Sequence, residues 1–179
     1  RSGKDEVHLR VDRAILIDER VDSLEASSPD LEYRTAVAGK HVHTEKPVAM
    51  RFRQAQALVK LSKRQNCRLS CAPVTWLGEA QQMAWKLIRS GQIGTPRVAH
   101  VEVNWARMEV WHPKPQPFYE VGPVFDVAVY PLTLLTAWFG AVRRVMASGK
   151  TVMPARATKE CKPFTVTTPD WQAAVLEFE

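Results

Sequence analysis

An acid, a base and a proline stand side by side at Glu45-Lys46-Pro47, and a second carboxylate, Asp126, is followed four residues on by a phenol, Tyr130. Ammonium, carboxylate and phenol are the groups of general acid–base chemistry, in which a positioned side chain gives or takes a proton in the transition state. Taken alone, a Glu-Lys-Pro run reads as a solvated loop, because loops are polar and exposed by default. Proline lowers the cost of a cis peptide at Lys46–Pro47 to about 0.5–1 kcal/mol, so the backbone can turn there and point Glu45 and Lys46 in different directions.

The elements that must position these groups are legible around them. Gly39 reads as the stop of a helix over about 31–38, since glycine accepts the left-handed conformation of a helix end, and a brief strand follows through Val42. From Gly122 to Gly140 the chain holds one charge, Asp126. Pro123 suits the first turn of a helix and Gly140 its end, and apolar residues on all sides predict a buried helix. A carboxylate there needs a hydrogen-bonding or charged partner, because desolvation costs several kcal/mol. Tyr130 falls on the same face one turn along, and Pro131 predicts a kink just after it. The plainer alternatives are a helix-start charge for Asp126 and a core aromatic for Tyr130.

Ala38-Gly39-Lys40-His41-Val42 running into Glu45-Lys46-Pro47, then Gly91-Gln92-Ile93-Gly94-Thr95-Pro96, then Asp126 with a ring residue four further on, resembles the Gfo/Idh/MocA oxidoreductases (glucose-fructose oxidoreductase, inositol dehydrogenase and relatives). The resemblance runs from about Val21 to Glu179 and rests on the order and spacing of motifs that are weak singly. It implies an α/β protein with a partial Rossmann-like dinucleotide-binding domain over 1–73, and over 74–179 part of an α+β domain with a large open, mostly antiparallel sheet. The implied activity is hydride transfer between NAD or NADP and a sugar, cyclitol or related carbinol. For Lys46 the resemblance implies a catalytic lysine touching substrate, and for Glu45 and Pro47, with Lys46, a place beside the nicotinamide. Asp126 and Tyr130 match the family's catalytic aspartate and the ring residue after it, where many members have histidine. Loss of a carbinol proton needs a base. Tyr130 is one candidate, with Lys46 supplying the positive charge that a phenol of pKa about 10 requires near neutrality; Lys46 itself is the other. Asp126 is expected to orient substrate hydroxyls or Lys46.

Two departures stand out. The eight glycines include no Gly-x-Gly pair, so the phosphate-binding loop of such domains is absent from this sequence. Val21–Pro29 resembles the strand before the first helix, but Glu25 interrupts it and the link to Gly39 is short. The first half of the nucleotide domain is expected to be missing or unrecognisable. The sequence also ends in an alternating strand, Ala173 to Glu179, with no return, which reads as a fragment or a truncated product.

Composition narrows the classes further. The 179 residues, 45% hydrophobic, suffice for one or two domains. Net charge is +6 and the pI about 9.4, but the cations are scattered, with Lys60, Lys63 and Arg64 on one polar helix side, and nucleic-acid binding needs a clustered patch. Cys67, Cys71 and Cys161 lack zinc spacing and suggest reduced thiols and a cytoplasmic setting. The apolar run at 123–139 is broken by Asp126 and Pro131, so neither a membrane nor a nucleic-acid partner is expected. The expected partners are a sugar or polyol and, through the open sheet, further copies of the chain.

Elsewhere, 51–66 predicts a helix with Phe52, Ala55, Leu58, Val59 and Ser62 inward, 68–72 a strand, and Leu77 to Ile88 a helical stripe stopped by Gly91. Residues 97–107 alternate as a strand with one covered face, and 143–152 and 172–178 are further strand candidates. Residues 108–121 read as a Pro-rich aromatic loop of the kind that is often functional, whose Trp111 and His112, with Phe118 and Tyr119, are candidates to wall a sugar site. Two rivals remain. His41, His43 and Glu45 share one side of an extended segment, a metal-hydrolase pattern that His100 or His112 would have to complete. The chain would otherwise be a non-catalytic remnant serving as a binding or oligomerisation module.

Overall fold

The computed structural model describes residues 14–16, 29–105 and 107–179. Three short parallel strands come first: β1 (Ala14–Leu16), β2 (His41–Thr44) and β3 (Leu69–Cys71), in the order β1-β2-β3. Parallel neighbours need crossover connections, and two helices provide them: α1 (Pro29–Val37) before β2 and α2 (Phe52–Arg64) before β3. Gly39 closes α1 at φ 71°, as its freedom from a Cβ clash allows. Ala36 of α1, Val42 of β2 and Leu61 of α2 form the core of this layer, with Leu69 packed against them. β1 was not expected from the sequence, and the expected strand at 21–29 falls, up to residue 28, outside the described residues.

The second region is mixed α/β with antiparallel pairing. Helix α3 (Glu79–Arg89) leads into it, followed by α4 (Gln116–Pro123) and α5 (Val129–Phe139). Strands β4 (Val142–Lys150) and β7 (Trp171–Phe178) pair antiparallel along nearly their whole length, and β5 (Ala155–Ala157) and β6 (Pro163–Thr165) form a small second pair. Arg143 and Arg144 of β4 both meet Glu177 of β7, an opposite-charge cross-strand contact.

Three expectations are corrected here. Residues 97–105 form no strand and are exposed throughout, because alternation yields a strand only when a neighbour accepts its backbone bonds, and among the described residues none does. In α2 the buried side chains are Leu58, Leu61 and Ser62, whereas Phe52 is 79% exposed and Val59 44%. The helix expected over 123–139 is not buried on all sides. It departs from α geometry before Pro131: Gly122 breaks α4 at φ 78°, and Val124–Ala128 form a π turn.

Candidate active site

β2 ends with Thr44, whose buried hydroxyl donates to the Glu32 carboxylate of α1 at 2.8 Å. The next residues are fastened to the end of β3. The Ala72 amide donates to the Thr44 carbonyl at 2.9 Å, and the Cys71 thiol donates to the Glu45 carbonyl at 3.3 Å. Burial, with the Glu45 and Glu32 carboxylates nearby, pushes that thiol up to about 11, which keeps it protonated as a donor at neutral pH. The Lys46–Pro47 and Ala72–Pro73 bonds are both cis. Glu45, Lys46 and Pro47 thus follow the carboxyl end of a parallel strand, where open α/β sheets bind their ligands.

From there the Lys46 side chain reaches a segment 80 residues away in sequence. Its ammonium donates to the Asp126 carboxylate and to the Asp126 carbonyl, each at 2.6 Å. The two side chains are 17% and 15% exposed, so the pair is largely withdrawn from water yet open on one side. The ammonium also lies 5.6 Å from the centre of the Tyr130 ring, within cation–π range. Lys46, Asp126 and Tyr130 therefore come together as the sequence suggested, but Lys46 meets the face of the ring and commits its hydrogen bonds to Asp126.

The π turn supplies the second of those bonds. In such a turn the backbone pairs i with i+5, and the residue five beyond Asp126 is Pro131, which has no N–H to give. The Asp126 carbonyl is taken by Lys46 instead. By length and composition Gln116–Phe139 would also pass for a membrane span, and the ion pair of Asp126 with Lys46 ties it to the end of the parallel sheet.

Trp111, His112 and Phe118 form an edge-to-face ring cluster with centres 4.8–5.7 Å apart, and the Nδ1 atom of His112 is tied to the Lys114 backbone. Among the described residues no hydrogen bond or ring contact joins this cluster to Lys46, Asp126 or Tyr130. Tyr119 turns away from the proposed wall and bonds Glu109 and Arg156. The metal pattern does not assemble: His41 accepts the Arg68 amide at 3.0 Å, His43 pairs with Ser70 at 2.7 Å, and no three metal-ligating side chains converge among the described residues.

Sequence reasoning missed a second polar cluster. Arg156 of β5, 7% exposed, donates to Glu109 at 3.1 Å, to the Tyr119 hydroxyl at 3.0 Å and to Asp170 at 2.6 Å. Burial pushes the Glu109 carboxyl up, but the Tyr119 and Arg156 bonds outweigh it and leave it below the ordinary range. Asp170 is likewise lowered: burial opposes ionisation, while the Val152 and Met153 amides and Arg156 outweigh it. Groups so depressed add stability that is present above their unfolded pKa values near 4 and is lost as pH falls through the lower folded values. Acid titration is therefore expected to loosen this cluster below about pH 4, read as an earlier loss of near-UV circular dichroism in the parent than in an Asp170→Asn variant normalised to its own neutral-pH signal.

Residues 21–72 match the model of an oxidoreductase family with an NAD-binding Rossmann fold, so the class is that of the NAD-binding oxidoreductases. Residues 81–179 match the GFO/IDH/MocA C-terminal domain, and the chain belongs to the Gfo/Idh/MocA family. Among solved structures it is similar to the WlbA dehydrogenase of Bordetella pertussis in complex with NADH and UDP-GlcNAcA, at 24% identity and a TM-score of 0.71 over 93% of this chain and 45% of that one. A levoglucosan dehydrogenase in complex with NADH and L-sorbose gives 21% and 0.72, over 93% and 44%. An NAD-binding oxidoreductase from Klebsiella pneumoniae gives 22% and 0.68, over 93% and 45%. The chain thus spans less than half the length of these relatives. No curated protein matches it.

Proposed function

We propose that this chain is the site-bearing part of an NAD(P)-dependent oxidoreductase that moves hydride between the nicotinamide and a sugar, cyclitol or related carbinol. The observation that carries the reading is the Lys46 ammonium held by the Asp126 carboxylate and backbone carbonyl, beside the Tyr130 ring, across the junction of the two family-matched segments. The carbinol substrate is supported by the sugar-like ligands UDP-GlcNAcA and L-sorbose bound in two similar structures.

Glu45, Lys46 and Pro47, at the carboxyl end of β2, fit the nicotinamide end of the cofactor, which accepts or gives the hydride when bound. The chain's own residues manage the proton. A carbinol hydroxyl placed on the open side of the Lys46–Asp126 pair donates its proton as the C–H bond breaks. Tyr130, 38% exposed, takes that proton on its oxygen as a phenolate and becomes the phenol, and Lys46 presents a charge that stabilises the developing alkoxide. Asp126 fixes Lys46 in place. Trp111 and His112 are proposed to reach the substrate from the aromatic loop.

The open β4–β7 sheet, on which Val145, Met146 and Val175 are more than half exposed, supports association of copies through that sheet. The segments 1–73 and 74–179 are proposed as the two domains, and a cytoplasmic setting is proposed from the free cysteines.

Cofactor binding tests the reading. The intact gene product is expected to bind NADH or NADPH by fluorescence titration. Residues 1–179 alone are expected to bind it weakly, because a glycine-rich loop and the helix behind it normally hold the pyrophosphate. An intact product that binds neither nucleotide would leave the non-catalytic remnant as the better account.

A further inference from the structure

We propose that Arg156 is a positioning residue for the candidate site, holding the π turn so that the Asp126 carboxylate and backbone carbonyl face Lys46. The inference rests on the reading of Lys46 and Asp126 as the reacting pair, and it assigns a purpose to a buried cluster that lies outside that pair.

The site helix cannot set its own geometry. Between α4 and α5 the chain passes Gly122 at φ 78° and then the π turn, two breaks in the hydrogen-bond ladder within seven residues, Gly122 to Ala128. A helix interrupted twice is free to re-register unless something outside fixes its entry. The β5–β6 region does so at two points. Arg156 grips Tyr119, one turn before the break, and through Glu109 the short turn that precedes α4; its guanidinium lies 4.4 Å from the Tyr119 ring centre. Asp170 locks the far side of that guanidinium and accepts the Val152 and Met153 amides. Thr168, two residues away, donates to the Glu120 carbonyl at 3.3 Å and crowds Gly122 so closely that a Cβ there would meet its Cγ2 at 2.6 Å.

These contacts bracket the residues immediately before the π turn, and the turn's product is the Asp126 carbonyl that Lys46 takes. Arginine suits the task because its planar fork engages Glu109, Tyr119, Asp170 and the Met153 carbonyl at once. Stability alone would be served as well by apolar packing, since a buried ion pair is a poor source of it.

The test reads Lys46 without cofactor or substrate. The intact protein is labelled with limiting acetic anhydride, and the rate at Lys46 is measured by peptide mass spectrometry against the exposed Lys63 and Lys86. In the parent, Lys46 is expected to label well below the references. Arg156→Met and Tyr119→Phe should each raise the Lys46 ratio several-fold, Arg156→Lys should fall between, and Gly122→Ala should act like Arg156→Met. Tyr119→Phe removes one hydroxyl only and decides the matter if Arg156→Met does not fold. An unchanged Lys46 ratio in folded variants with lowered melting temperatures overturns the proposal and leaves the cluster as a stability element. A parent Lys46 that labels as fast as the references removes the Lys46–Asp126 contact itself, and the proposal with it.

Discussion

Replacement of Lys46 by methionine is expected to lower turnover of the intact oxidoreductase at least about a hundredfold, the lower end of what loss of acid–base help costs, with little change in nicotinamide cofactor affinity. Methionine keeps the length of the stem but removes the ammonium that meets the Asp126 carboxylate and backbone carbonyl. It also leaves Asp126 without its charge partner in a pocket where only 15% of its side chain is exposed. The variant should therefore lose some stability as well, which denaturant melts will separate from the kinetic effect. Tyr130→Phe tests the second group in the same assay: a loss of comparable size makes the Tyr130 phenolate the proton acceptor, whereas near-parent turnover leaves Lys46, as its neutral amine, as the base.

The largest stability effect is expected at Arg156. Arg156→Met strands Glu109 and Asp170, whose side chains are 9% and 10% exposed. Removing one partner of a buried charge cluster costs about 3–5 kcal/mol, a large share of the 5–15 kcal/mol typical of a whole domain. A shifted urea midpoint at unchanged slope is the signature. The control is Lys162→Met. Its partner Glu160 is 72% exposed, and exposed pairs contribute about 0–1 kcal/mol, so the midpoint should scarcely move.

The contrast between those two ion pairs illustrates what a sequence carries. Gly39 announced the end of α1, and the alternation of β7 announced a strand, because these signals are local: a backbone conformation only glycine adopts freely, and a side-chain period of two. Lys46 and Asp126 stood out for a related reason, each being a charge set against a proline or an apolar run. Arg156 carried no such mark. Its partners lie 14 to 47 residues away and share no period with it, so only the folded chain brings them together. The π turn was equally hidden, since a shift from i+4 to i+5 pairing leaves composition unchanged, although Gly122 before it and Pro131 after it were its traces.

Burial expected from hydropathy held at Leu58 and Ser62 but failed elsewhere. Phe52 and Val59 fall on the apolar side of α2 yet are exposed, and residues 97–105 alternate correctly yet pair with nothing among the described residues. An apolar pattern states which face would be covered. Whether it is covered depends on layers that the pattern itself does not contain.

The central claim is that Lys46, with Asp126 and Tyr130, serves hydride transfer from a carbinol. The most direct measurement is the movement of label from sugars and polyols deuterated at the carbinol carbon into the nicotinamide of NAD or NADP, followed by mass spectrometry of the recovered cofactor with the parent and with Lys46→Met. The account predicts deuterated cofactor from at least one such carbinol with the parent, and its near-complete loss in the variant at unchanged cofactor binding. Equal label transfer by parent and variant would contradict it.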